Sequence, residues 1–306
     1  MSSWLRWVDD RQFGMVLWCV GMLLVRPTLA EAVLMFAPLV LVPMALRLFE
    51  VDPQSRIPEL RSPLFLVVRL LAAILLLPAF AFPPGWTAGA LATPWMFVTI
   101  WLALCGTTRR WQELGTWNFT AGFHFALIFI AVGGVFTVFS RLDLRVNNFE
   151  SIIILLTAVH FHYAGFVLPV IAAMVARKLP EALSHYVLAG CIGFTILLAI
   201  GINSSPELEI VAAAGLVISA AVVAVIQLTI GFHSRQPRML FLLAISSLSL
   251  IGAMGMAIMY AWNEYNDVKW LSIDTMTKIH GVANAYGFSY AGLLGWEPVK
   301  RGKTRT

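Results

Sequence analysis

Charge is what this 306-residue chain has least of: 12% of its residues are Asp, Glu, Lys or Arg, about half the share of an average soluble domain. That deficit, with 59% apolar residues and a mean hydropathy of +0.82, leaves too little polar surface for a soluble domain. Cysteine is scarce too. Cys19, Cys105 and Cys191 lie in separate apolar segments, with neither a CxxC nor a metal-binding spacing, and read as small core residues. There is no internal repeat, no low-complexity tract and no glycine-rich phosphate loop. Ten-residue segments of alternating polarity are missing as well, which excludes a transmembrane β-barrel. The net charge of +5 does not point to nucleic acid, because the basic residues sit in short loops and at the chain ends.

What the chain does have is a succession of continuous apolar runs near the roughly 20 residues that span a bilayer as a helix. They predict helices near 13–25, 29–48, 64–82, 87–104, 117–139, 151–176, 183–202, 208–232, 239–261 and 274–296. The fold class is therefore all-α, a polytopic transmembrane bundle of about ten helices forming one integral membrane domain over 1–306, with short tails at 1–12 and 297–306. The opening MSSWLRWVDDRQ precedes no small-residue cleavage site, so the first helix is expected to be retained. That helix is short and ends at Arg26-Pro27. The fourth is read as interrupted by Pro94, after the turn-rich PPGWTAG.

Basic residues fix an expected orientation. Loops after even-numbered helices, together with both ends, hold fifteen Lys and Arg residues, and loops after odd-numbered helices hold five: Arg26, Arg141, Arg145, Lys269 and Lys278. Arg69 is left inside the third helix. Cytoplasmic loops retain basic residues, so both termini are expected in the cytoplasm, with the chain held in the plasma membrane.

Polar side chains inside such spans are costly and tend to mark function. They fall in TAVHFHYAGF (His160, His162, Tyr163), KIHGVANAYGF (His280, Asn284, Tyr286) and WNFTAGFHF (Asn118, Thr120, His124), with Glu31 opening the second helix. At about 1.5 Å per residue, His160 lies roughly 13 Å and His280 roughly 9 Å below the outer face, and Glu31 starts there. Glu31, His160, His162, His280 and Asn284 are thus expected to share an outer-half cavity. His124 lies roughly 10 Å from the cytoplasmic side. His280, Asn284, Gly287 and Ala291 form one helical stripe, its small residues admitting a neighbouring helix. His160 and His162 stand about 200° apart on a regular helix, which argues against one metal between them, so no metal site is predicted. A lone intramembrane histidine is commonly a structural hydrogen bonder, Tyr163 and Tyr286 have packing readings, and Arg69 reads as snorkelling or structurally paired.

HFHYAGF followed by HGVANAYGF resembles the YndJ-like family of bacterial membrane proteins, over nearly the whole chain. The resemblance marks His160, His162, Tyr163, His280 and Asn284, implies no cofactor, and brings no defined reaction. Some members of that family are labelled transporters, without a substrate.

The leading expectation is an intramembrane enzyme for a lipid or isoprenoid-like substrate. Histidine serves as acid or base near neutral pH, Glu31 would orient an imidazole, and Asn284 would hold a substrate oxygen. Acid–base isomerisation or cyclisation is preferred to zinc-type hydrolysis, whose ligands would be imidazoles and Glu31. A transporter or proton-coupled permease is the alternative, and a noncovalent haem or assembly protein, with His160 and His280 as axial ligands, a third.

Overall fold

The computed structural model describes residues 11–147 and 149–297, and among them are ten helices and no strand. In chain order these are α1 (Arg11–Val25), α2 (Leu29–Leu48), α3 (Pro63–Ala81), α4 (Trp86–Gln112) and α5 (Phe119–Leu142). They continue with α6 (Ser151–Ala176), α7 (Glu181–Ser204), α8 (Pro206–His233), α9 (Pro237–Asn266) and α10 (273–296). Eight of them, α2 to α9, are long and apolar enough to cross a membrane. α1, at 15 residues, rises only about 22 Å. The tails expected at 1–12 and 297–306 lie almost wholly outside the described residues, including Arg6, Lys300, Arg301, Lys303 and Arg305.

The helix ends follow local chemistry. Ser62, Ser205 and Ser272 each accept a first-turn N–H, and proline occupies the first position of α3 and α8, where its missing N–H costs nothing. α5 and α9 stop on Asp143 and Asp267 in the left-handed conformation. Two expectations need correcting. α4 runs unbroken through Pro94, so the proline costs one backbone hydrogen bond and does not divide the helix. Arg141 and Lys278 belong to helices rather than loops, and Arg141 is buried.

The centre of the bundle is α2: 89% of its most apolar stretch is buried, against 33% in α7, α8 and α9. Those peripheral helices expose Ile218, Phe241 and Leu248, as a lipid-facing surface requires. Three helices change pitch midway. π segments run over Ala37–Leu41 in α2, Tyr163–Val167 in α6 and Ala283–Tyr290 in α10, and those of α6 and α10 touch. Proline accounts for part of this. Pro38, Pro43 and Pro169 cannot donate to the carbonyls four residues back, and the chain rewinds around the gaps. One freed carbonyl, that of Leu39, is approached by Gly14 of α1, where an added Cβ would fall 2.0 Å from its oxygen.

At the other end of the bundle from the α1–α2 turn, a buried polar network joins α8, α9 and α10. Gln227 donates to the Ser246 hydroxyl (2.9 Å) and the Ser247 hydroxyl (3.2 Å) and accepts from the Trp296 indole (2.9 Å). Ser246 in turn donates to the Phe288 carbonyl in the α10 π segment at 2.9 Å. Gln227→Ala strands the indole N–H, and we expect it to lower stability by about 1–2 kcal/mol. The unfolding midpoint in SDS–detergent mixtures reads this.

Candidate functional site

A cavity of about 260 Å³ lies among α2, α6, α7, α8, α9 and α10. Its lining begins near the helix ends at Ala30, Ile202 and Ile273, and reaches inward only to Leu168, Leu216, Leu250 and Phe288. Most of it therefore lies in the half of the bundle that carries the α1–α2 and α9–α10 turns, with its floor past the middle of α6 and α10. The walls are mostly Leu, Val, Ile, Met and Ala. The polar groups are His160 and Tyr163 from α6, Glu209 from α8, Tyr260 from α9, and Thr277, His280 and Asn284 from α10.

Among His160, Tyr163, His280 and Asn284, each is held by a hydrogen bond, with one exception. The His280 Nδ1 lies 2.8 Å from the Ala253 carbonyl, and its Nε2 lies 2.9 Å from the Asn284 amide nitrogen. A carbonyl only accepts, so Nδ1 carries the proton. Nε2 then offers only a lone pair, to which Asn284 donates, and this assigns both the tautomer and the amide orientation. The Asn284 carbonyl oxygen is left as an acceptor. Tyr163 donates to the Val33 carbonyl at 2.8 Å, pinning α6 to α2. The exception is His160. Neither of its ring nitrogens hydrogen-bonds a described residue; its ring stands edge-on to Phe161 (6.1 Å between centroids) and lies within electrostatic range of His280.

Of the candidate site residues, His160, Tyr163, His280 and Asn284 line the cavity, and His162 and Glu31 do not. α6 is regular through His162 and turns to π pitch only at Tyr163, so the two histidines still diverge. His162 is fully buried. It donates from Nδ1 to the Ala158 carbonyl (2.8 Å) and accepts at Nε2 from the Trp95 indole of α4 (3.0 Å). The fit is close: a Cβ on Gly133 of α5 would come within 2.6 Å of that Nδ1. Glu31 is committed at the head of α2. With Thr28 it forms a reciprocal capping box, and it pairs with Arg141 of α5 at 3.2 Å. Arg141 also donates to the Phe82 carbonyl and lies over the Phe80 ring, so this pair fastens α2, α3 and α5 together.

The other singled-out residues lie apart from the cavity. His124 is buried at the opposite end, 3.8 Å from Glu113. Arg69 lines a small separate cavity with Arg47, Glu50 and Arg61. Tyr286 packs on Trp18 and Phe36. Gly287, on the His280 stripe, admits α9: a Cβ there would fall 2.2 Å from the Ser249 hydroxyl. Sequence reasoning missed Glu209, Tyr260 and Thr277, because near the helix ends they resemble ordinary interfacial residues. Among the described residues no three His, Cys, Asp or Glu side chains are grouped to hold a metal. Both nitrogens of His280 are engaged, so its use as a haem ligand would require breaking the bond to Asn284.

Fold and cavity together define a class: a multi-pass, all-helical membrane protein with an apolar pocket sunk into one end of its bundle. The chain belongs to the YndJ-like family, whose profile, described as YndJ-like protein, matches residues 32–288. That span takes in the cavity lining from Val33 to Phe288. The uncharacterized membrane protein YndJ of Bacillus subtilis (strain 168) is 30% identical over 213 residues, which is 68% of this chain and 38% of that protein. This chain thus spans well under half the length of that relative. No solved structure matches it.

Proposed function

We propose that this protein is an intramembrane enzyme that takes a lipophilic substrate into the cavity and moves a proton within it, with His160 as the acid–base group. The observation that carries this reading is the free imidazole of His160 in an apolar-walled pocket, across from the His280–Asn284 pair. A buried polar group without a partner is costly, and a substrate that lends one repays that cost. His160 removes a proton from an activated carbon of the substrate and returns it at another, so the step balances with no co-reactant and the product is an isomer. Asn284 holds a substrate oxygen through its amide. The fixed tautomer of His280 keeps that amide in register.

The excess of basic residues on the opposite face supports an orientation with both termini in the cytoplasm and the cavity opening towards the outer leaflet of the bacterial inner membrane. Substrate then enters from the lipid phase. To test the function, lipid extracts of cells that make the wild-type chain are compared with extracts of cells that make His160→Gln. The expected result is a lipophilic species of unchanged mass but altered retention, present only with the wild type. Identical extracts would count against the enzyme reading. Asn284→Leu is expected to reduce formation of that species by about 10- to 100-fold, in line with losing a hydrogen bond to a polar substrate atom.

A permease is the second reading, and the π segments of α2, α6 and α10 favour it, since broken helices near the midplane are where transporters place their sites. It predicts His160-dependent flux of a chemically unchanged solute across proteoliposomes.

A further inference from the structure

Glu209 is the single formally charged side chain among the described residues that line the cavity. It sits in the first turn of α8, where the helix dipole favours an acidic group; the dipole explains why a carboxylate is tolerated, not why it faces the pocket. No Lys, Arg or His among the described residues forms an ion pair with Glu209 or with the neighbouring Glu264. Tyr260, which also lines the cavity, lies within electrostatic range of both carboxylates. A cavity-lining carboxylate with no cationic partner, Glu209, therefore meets an aromatic ring, Tyr260, whose hydroxyl hydrogen-bonds the second carboxylate, Glu264, at the loop end of a pocket whose remaining wall is mostly apolar. The deeper polar atoms left free, His160 and the Asn284 carbonyl, add no fixed charge.

From this arrangement we infer that the ligand of the cavity is an amphiphile bearing a cationic nitrogen. Its ammonium group sits against Glu209 and Tyr260 with Glu264 behind, and its apolar body runs inward past Leu216 and Met254. An ammonium ion is attracted both by carboxylates and by the face of a tyrosine ring, and attraction at the edge of a low-dielectric pocket is stronger than in water. The volume of about 260 Å³ is at the small end for ligand pockets, which suits one short chain or ring system rather than a whole two-chain lipid. An anionic amphiphile would meet repulsion at the mouth.

This inference deepens the proposed function by using the same cavity, and its test reads binding rather than turnover. The full chain, in nanodiscs of zwitterionic lipid, is dialysed against decyltrimethylammonium, 1-decanol or decyl sulfate, with empty discs as the partition blank. The ammonium is expected to bind about tenfold more tightly than the alcohol, with the sulfate weakest. Glu209→Gln should reduce the ammonium to the level of the alcohol, Glu264→Gln should narrow the preference, and His160→Ala should leave it intact. Equal binding of the three probes by the wild type overturns the inference, whether or not Glu209→Gln folds, and so does a preference that survives in a folded Glu209→Gln. A cation preference beside a fully active His160→Ala would sink the enzyme reading alone. Loss of turnover in His160→Ala without any cation preference would sink this one alone.

Discussion

His160→Ala is expected to lower turnover by about 10²- to 10⁴-fold, the usual worth of a positioned acid–base group, while changing stability by less than about 1 kcal/mol. Its ring makes no hydrogen bond to a described residue and borders open cavity, so removing it breaks no network and enlarges space that already exists. Conversion of the lipophilic substrate into its isomer, followed beside the unfolding midpoint, separates the two effects. A large fall in stability would reassign His160 to the core. Full retention of turnover would remove it from the chemistry.

Two residues along the helix the expectation is reversed. His162→Ala should destabilise the bundle by about 3 kcal/mol, because it empties a tightly packed site and leaves the Trp95 indole N–H buried without an acceptor. Trp95→Phe, which removes only the N–H and part of the ring, should cost about 1 kcal/mol. Neither change touches the cavity, so the protein that remains folded should keep its turnover per molecule. Unfolding midpoints for the two variants, with activity normalised to folded protein, check this. A His162→Ala variant as stable as the wild type would contradict the packing role drawn from its contacts with Trp95 and Ala158.

These two histidines also mark how far the sequence could be read. The 100° step of a helix was enough to say that His160 and His162 face apart, and apolar run lengths were enough to locate ten helices. Which histidine faced a cavity depended on Trp95, a residue 67 positions away from His162, and no local pattern reports such a partner. Glu31 was misplaced for a different reason. Thr28-Leu29-Ala30-Glu31 has the spacing of a capping box, so its structural role was visible, but the scarcity of charge made any acidic residue look functional. His280 and Asn284 were legible because a four-residue spacing puts them on one face. The π segments were not: Pro38, Pro43 and Pro169 signal disturbance of α2 and α6, whereas nothing in ANAYGFSY signals that α10 winds at π pitch over the same depth. Glu209 and Tyr260 come from helix ends whose positions beside the pocket are set only by tertiary packing.

The central claim is that His160 exchanges a proton with a lipophilic molecule inside the cavity. The most direct measurement is to incubate the purified chain, reconstituted with total lipids from its host, in D2O buffer and to follow the mass of each lipid species. A proton held on an imidazole exchanges with solvent, so the predicted result is a one-deuteron gain at a carbon-bound position of one lipophilic species, seen with wild type and lost in His160→Gln. Deuterium that enters equally with both proteins, or with neither, would contradict it.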